Sequence, residues 1–91
     1  MTFQEKLKLF KSGTVGFRVD SQDVADELVK VFEREGIKGL SNSKVITNCA
    51  FEYYGDNGGV VIIDGNLMFG NASEYPDKSF KFLKLTPEEI G

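Results

Sequence analysis

The stretch Asp20–Gly36 (D-S-Q-D-V-A-D-E-L-V-K-V-F-E-R-E-G) constrains this chain more than any other, because its start, buried stripe and end are all legible. Asp20 and Ser21 both have the short side-chain oxygen that accepts from an unpaired amide of a first helical turn. With Asp20 as cap, Asp23 gives an acidic version of the capping box, and Asp23, Asp26 and Glu27 complement the positive end of the helix dipole. Val24, Leu28, Val31 and Phe32 recur at i, i+4, i+7 and i+8, with Ala25 and Val29 widening the stripe. Gly36 tolerates the left-handed conformation that ends a helix. The spacing therefore predicts a long amphipathic helix laid on an apolar layer, with a mostly acidic outer face (Asp23, Asp26, Glu27, Glu33) that is ill-suited to anionic lipid.

That apolar layer is expected to be a sheet. Thr2 and Glu5 form a capping-box signature opening a short helix whose Phe3, Leu7 and Phe10 share a side, and Lys11-Ser12-Gly13 would end it. Thr14–Val19 alternates as a strand, with Val15, Phe17 and Val19 on one face. Ile37–Leu40 reads as a further short strand, and Val45–Tyr54, rich in β-branched and aromatic residues, as a longer one. Of its two parities, Val45, Thr47, Cys49, Phe51 and Tyr53 are the more apolar and are assigned to the helix side. Asn48, Glu52 and Tyr54 are left on the other face.

Gly55-Asp56-Asn57-Gly58-Gly59 is expected to close a hairpin. Val60–Asp64 then forms a strand covered on both faces, Asp64-Gly65-Asn66 a tight turn, and Leu67-Met68-Phe69 a returning strand. Gly70–Lys78 reads as a loop bent by Pro76, Ser79–Leu85 as the last strand, and Thr86-Pro87-Glu88-Glu89 as a single helical turn. The fold class that follows is α+β in two layers: a long helix packed on one face of a mainly antiparallel sheet of four to five strands, in the order α-β-α-β-β-β-β. The whole of 1–91 is one domain, near the size at which a single core needs its aromatics. Eight Phe residues supply them.

Charge and residue types narrow the function. The formal net charge is −3 with lysines spread along the chain, which gives no basic stripe to neutralise phosphates and argues against direct nucleic-acid binding. The absence of histidine removes the commonest general base and metal ligand. The one cysteine, Cys49, leaves no intramolecular disulfide and suits a reducing cytoplasm, where it is expected as a small buried residue. No apolar run is long enough to span a membrane, and the opening M-T-F-Q-E-K is not expected to act as a signal peptide. Asp56-Asn57-Gly58 and Asp64-Gly65-Asn66 lack the fixed ligand offsets of a calcium loop. Gly55, Gly58 and Gly59 lack the Lys-Ser/Thr and helix start of a phosphate loop. No cofactor, metal site or catalytic set is expected, and the chain reads as a non-enzyme.

What remains is a sheet face on which Arg18, Asn48, Glu52 and Tyr54, with Tyr53 or Tyr75 nearby, combine amide, charge and aromatic ring. Such a mixture suits planar ligands or a protein hot spot. On the same face Ile46, Tyr54 and Ile62 would form an apolar patch that a homo-oligomer, dimer or higher, would cover.

These features together resemble small accessory proteins encoded by bacteriophages and prophages. The resemblance is carried by Lys11-Ser12-Gly13, the helix opening Asp20-Ser21-Gln22-Asp23-Val24-Ala25, the tyrosine-bearing Phe51-Glu52-Tyr53-Tyr54, and the ending Lys84-Leu85-Thr86-Pro87-Glu88-Glu89. It implies a non-enzymatic binding protein of the host-cell cytoplasm. Some proteins of this kind antagonise bacterial defence by sequestering a nucleotide signal or blocking a defence protein. In the first case Arg18 or Lys44 would meet phosphate, with Asn48 alongside and Tyr53 or Tyr54 stacking on a base, in a pocket between protomers. In the second, the acidic helix face or a sheet edge would meet a basic host protein. A structural or virion-assembly role is the remaining alternative.

Overall fold

The computed structural model describes residues 1–74 and 81–91. The described elements are α1 (Phe3–Lys11), β1 (Val15–Arg18), α2 (Gln22–Glu35), α3 (Ser43–Tyr54), a 3-10 turn (Gly55–Asn57), β2 (Gly58–Ile63), β3 (Asn66–Asn71), β4 (Lys81–Leu83) and α4 (Pro87–Ile90). The four strands form one sheet in the order β3-β2-β1-β4. Both β2 pairings are antiparallel, and β4 joins β1 in parallel. β1, whose place the sequence left open, is thus an inner strand. The α+β class and the long helix on a mainly antiparallel sheet hold.

Local chemistry sets most boundaries. In α1, Thr2 and Glu5 close a reciprocal capping box. In α2 the cap is Ser21, whose hydroxyl accepts from the Val24 amide, and Gly36 terminates the helix at φ 71°. Asp64 and Gly65, at φ 53° and 80°, both take the left-handed conformation that a two-residue hairpin of type I′ requires. In α4, Thr86 and Glu89 repeat the capping box behind Pro87.

The core forms on the helical side of the sheet. Phe10 stacks on Phe17 at a centroid distance of 4.3 Å and on Phe32 at 5.5 Å, while Phe3 lies 6.0 Å from Phe17. One aromatic column thereby joins α1, β1 and α2. Val60, Ile62 and Leu67 extend the layer beneath Ile46 and Ala50 of α3, and Leu85 and Ile90 close its end. On the opposite face the Phe82 ring lies across two glycines: a β-carbon on either Gly16 or Gly59 would sit 2.6 Å from it.

The principal correction concerns Val45–Tyr54, which is a helix and not a strand. Its buried residues are Ser43, Ile46, Thr47 and Ala50, an i, i+3, i+4, i+7 set that only a helix can bury on one side. The Asn42 side chain caps it by accepting from the Val45 amide at 2.9 Å. The β-branched run Val45-Ile46-Thr47 favours a strand locally, but packing against β2, β3 and α2 overrides that preference. The observed order is therefore α-β-α-α-β-β-β-α.

Other expectations shift with it. Gly55–Asn57 is a 3-10 turn from α3 into β2, and the hairpin expected there does not form. Ile37–Leu40 is irregular, although the Lys38 carbonyl accepts from the Leu67 amide at the rim of β3. Gly70 and Asn71 belong to β3 and not to a loop. Cys49 is half-buried on a helix, so it is not the enclosed mid-strand residue expected. Tyr75, Pro76, Ser79 and Phe80 lie outside the described residues.

Gly58 is required by close approach. A β-carbon there would meet the Ala50 carbonyl oxygen at 2.3 Å and that of Val19 at 3.0 Å, both backbone atoms that cannot rotate away. Gly58→Ala should therefore push α3 off β2 and cost about 1–3 kcal/mol. Urea unfolding measures it, and an unchanged midpoint would refute the contact.

A second consequence follows from α4. Lys6 Nζ lies 2.5 Å from Glu89 Oε1. That hydrogen bond, followed by the Thr86 amide, holds the Glu89 carboxyl below its ordinary 4.5. A depressed carboxylate pKa contributes stability that is complete above the unfolded value and lost as pH falls through the folded one. Stability should thus decline below pH 4.5, and Glu89→Gln should flatten that decline in thermal melts taken across the acid range.

Candidate binding surface

The five residues singled out from sequence do not meet in one place. Arg18, half-buried at the end of β1, donates from Nη1 to the Asp56 carbonyl oxygen at 3.2 Å and so braces the turn after α3. Asn48 Oδ1 accepts from Gln22 Nε2 at 3.4 Å, and the same Gln22 nitrogen donates to Asp26 at 2.9 Å. Asn48 is thus part of a polar link between α2 and α3. Lys44 is exposed in the first turn of α3 and has no ion-pair partner among the described residues. It is nine residues from Tyr53, about 14 Å along the axis at about 1.5 Å per residue. The expected cluster on a bare sheet face dissolves because α3 is a helix: a strand would have put Asn48, Glu52 and Tyr54 on one line, whereas on a helix Asn48 and Glu52, four apart, share a side and Tyr54, two residues on, turns to the opposite one.

Tyr53 and Tyr54 do share a neighbour. Their rings lie 5.9 Å and 6.5 Å from that of Phe69 on β3, within the range of favourable offset and tilted aromatic contacts. Phe69 holds one side of each ring, and Tyr53 remains 70% exposed. The apolar patch expected from Ile46, Tyr54 and Ile62 is not formed. Ile46 and Ile62 are buried in the core and only Tyr54 reaches solvent, because α3 covers the face on which the patch was placed.

A different patch takes its place. A groove of about 300 Å³ runs between the start of α3 and β3, lined by Leu40, Ser41, Ile46, Asn66, Leu67, Met68 and Phe69. None of these side chains is charged. Leu40 is fully exposed beside it, with Met68 42% and Val45 47% exposed. Val45, Cys49 and Tyr53 form one i, i+4, i+8 row on α3 that continues the groove towards the tyrosines. A protein surface of this polarity gathers apolar groups or flat rings, while large uncharged patches are uncommon on free monomers. Sequence reasoning missed Leu40, Met68 and Phe69. The available signal was β3 itself, N-L-M-F-G-N, an unusually uncharged outer strand.

Other clusters have weaker chemistry. The outer face of α2 carries Asp23, Asp26 and Glu27 near Lys30 and Pro87, but Asp26 accepts from Gln22 and Glu27 pairs with Lys30 at 2.9 Å. Among the described residues, no three of Cys, Asp and Glu converge as a metal-binding set, and no helix is long and apolar enough to cross a membrane. What the chain presents is a two-layer α+β domain with an aromatic and aliphatic face along α3 and β3. No family model, curated protein or solved structure matches it.

On the inner side of α3, the fully buried Thr47 hydroxyl has no hydrogen-bond partner among the described residues. An unsatisfied buried hydroxyl costs about 1–3 kcal/mol. Thr47→Val, which keeps the branched shape, should stabilise the protein by about 1 kcal/mol and raise its Tm by about 4–8 °C. A lowered Tm in calorimetry would mean that the hydroxyl is satisfied.

Proposed function

We propose that this protein is a non-enzymatic binding protein and that it works through the α3–β3 face. The observation that carries the reading is the Tyr53 ring, backed by Phe69 at 5.9 Å and 70% exposed to solvent. A flat ring fixed on one side and open on the other suits stacking on a planar group at low entropic cost, since few rotatable bonds remain to be frozen. A nucleobase is such a group. The mode of action we assign is sequestration of a small nucleotide-like signal in a pocket between protomers, with Tyr53 stacking and Tyr54 bordering the site. The phage-type resemblance gives the biological setting, antagonism of host defence in the cytoplasm.

Lys44 and Arg18 enter this reading differently. Lys44 is exposed and has no ion-pair partner among the described residues, so it is available to an acidic group at the boundary between protomers. Arg18 is occupied at the Asp56 carbonyl and serves the turn beneath the tyrosines. Occlusion of a basic host protein by the acidic face of α2 is the second reading. It is favoured by the solvent-facing Asp23, Asp26 and Glu33.

The test is native mass spectrometry of protein purified gently from bacterial cells, followed by calorimetric titration with mononucleotides and cyclic dinucleotides. A stoichiometric adduct of nucleotide mass is expected, and Tyr53→Ala should weaken binding by roughly ten- to a hundredfold, the worth of one base–aromatic stack. Tyr53 is mostly exposed, so this variant should keep its Tm. Binding unaffected by Tyr53→Ala would reject the α3–β3 face as the site.

A further inference from the structure

We infer that the α3–β3 face receives a second copy of this chain, with the two α3 helices running antiparallel about a two-fold axis beside Cys49. This rests on the reading of that face as the working surface and names what closes it. The argument begins with charge. Lys44, Asn48 and Glu52 form one row of α3 at i, i+4 and i+8. Lys44 and Glu52 are exposed, opposite in sign, and unpaired among the described residues. An antiparallel partner related by a two-fold axis turns that row end for end, so Lys44 of each chain meets Glu52 of the other. An isologous contact makes both pairs at once. A parallel arrangement would instead set like charges opposite each other.

The neighbouring row agrees. Val45, Cys49 and Tyr53 lie between the charged row and β3, and the same two-fold axis places Val45 against the partner's Tyr53, with the two copies of Cys49 near the axis. The flank beyond is polarised in the same direction. Leu40 and the groove over Ile46, Leu67 and Met68 begin at the start of α3, and the groove runs to Phe69, against which Tyr53 and Tyr54 lie at the helix end. Turned end for end, aliphatic groups meet aromatic rings on both sides of the axis. Leu40, fully exposed on the free protomer, is the knob, and the uncharged surface around the partner's Phe69 receives it. Three strips of one surface, charged, apolar and aromatic, are self-complementary under a single rotation.

Sedimentation analysis of the full chain, from about 1 to about 300 µM, spans the micromolar range in which an interface of this kind dissociates. A dimer is expected. Lys44→Glu or Glu52→Lys alone should raise the dissociation constant about tenfold, since each sets like charges opposite at two symmetric positions. The double reversal should restore it to within about threefold. Leu40→Asp should weaken the dimer more, at unchanged Tm, because Leu40 makes no buried contact within the protomer. A monomer throughout, a dimer indifferent to Leu40→Asp, or a double reversal that fails to restore association overturns the inference. The same samples titrated with nucleotide separate the two claims. A monomer that binds nucleotide sinks the dimer and the pocket between protomers but leaves stacking on Tyr53 standing, and a charge-sensitive dimer that binds none sinks the sequestration alone.

Discussion

The fold depends on the Phe10–Phe17–Phe32 column. These rings come from α1, β1 and α2, three elements that are individually too short or too polar to hold shape in water, and each ring is fully enclosed. A nine-residue helix such as α1 is marginal alone. Docking Phe10 between the other two rings fixes its position and also covers β1 as an inner strand. With β1 fixed, β2 pairs with it, β3 pairs with β2, and the bed on which α3 lies exists. The surface assigned to binding is thus built on a contact at the other end of the layer.

What could be read from sequence was what local chemistry specifies. α2 has a cap, a stripe and a glycine stop, and its span differs from the reading by a single residue at the start. The β2–β3 hairpin is written in Asp64-Gly65, and α4 in Thr86-Pro87 and Glu89. The sequence of α3 is less explicit. Val45, Ile46 and Thr47 favour extended backbone, while Asn42 and the Ser43, Ile46, Thr47, Ala50 spacing favour a helix. Only burial against β2 and β3 decides between them, and burial is a property of the folded layer. The site inherited that ambiguity. The sequence reading puts Tyr54 on the open face but Tyr53 on the covered parity, whereas the structure leaves Tyr53 70% exposed, and Phe69, which orients both, belongs to a strand read as short and ordinary.

The distribution of charge is consistent with this division of labour. Ion pairs such as Lys6–Glu89 and Lys11–Glu35 tie α1 to α4 and to α2 on the far side from β3. On the α3–β3 side, cohesion comes from apolar contact and from glycines that let main chains touch. Gly39 is one of these: a β-carbon there would lie 2.2 Å from the Leu67 carbonyl oxygen. The two halves of the molecule should therefore respond differently to salt, the helical corner losing screened attraction and the β3 side gaining from stronger exclusion of apolar surface.

The Lys38 carbonyl and Gly39, seated against Leu67, have a further consequence. A free outer strand with no charge and no proline invites other chains to add to it without limit. Here the Leu67 amide is already bonded to Lys38, and the Asn71 carbonyl accepts from the Glu74 amide at 3.1 Å. Both ends of β3 are stoppered by the chain's own backbone, leaving little main chain between them to template another strand. The molecule can offer a sticky flank to one neighbour and still be a poor seed for a fibril.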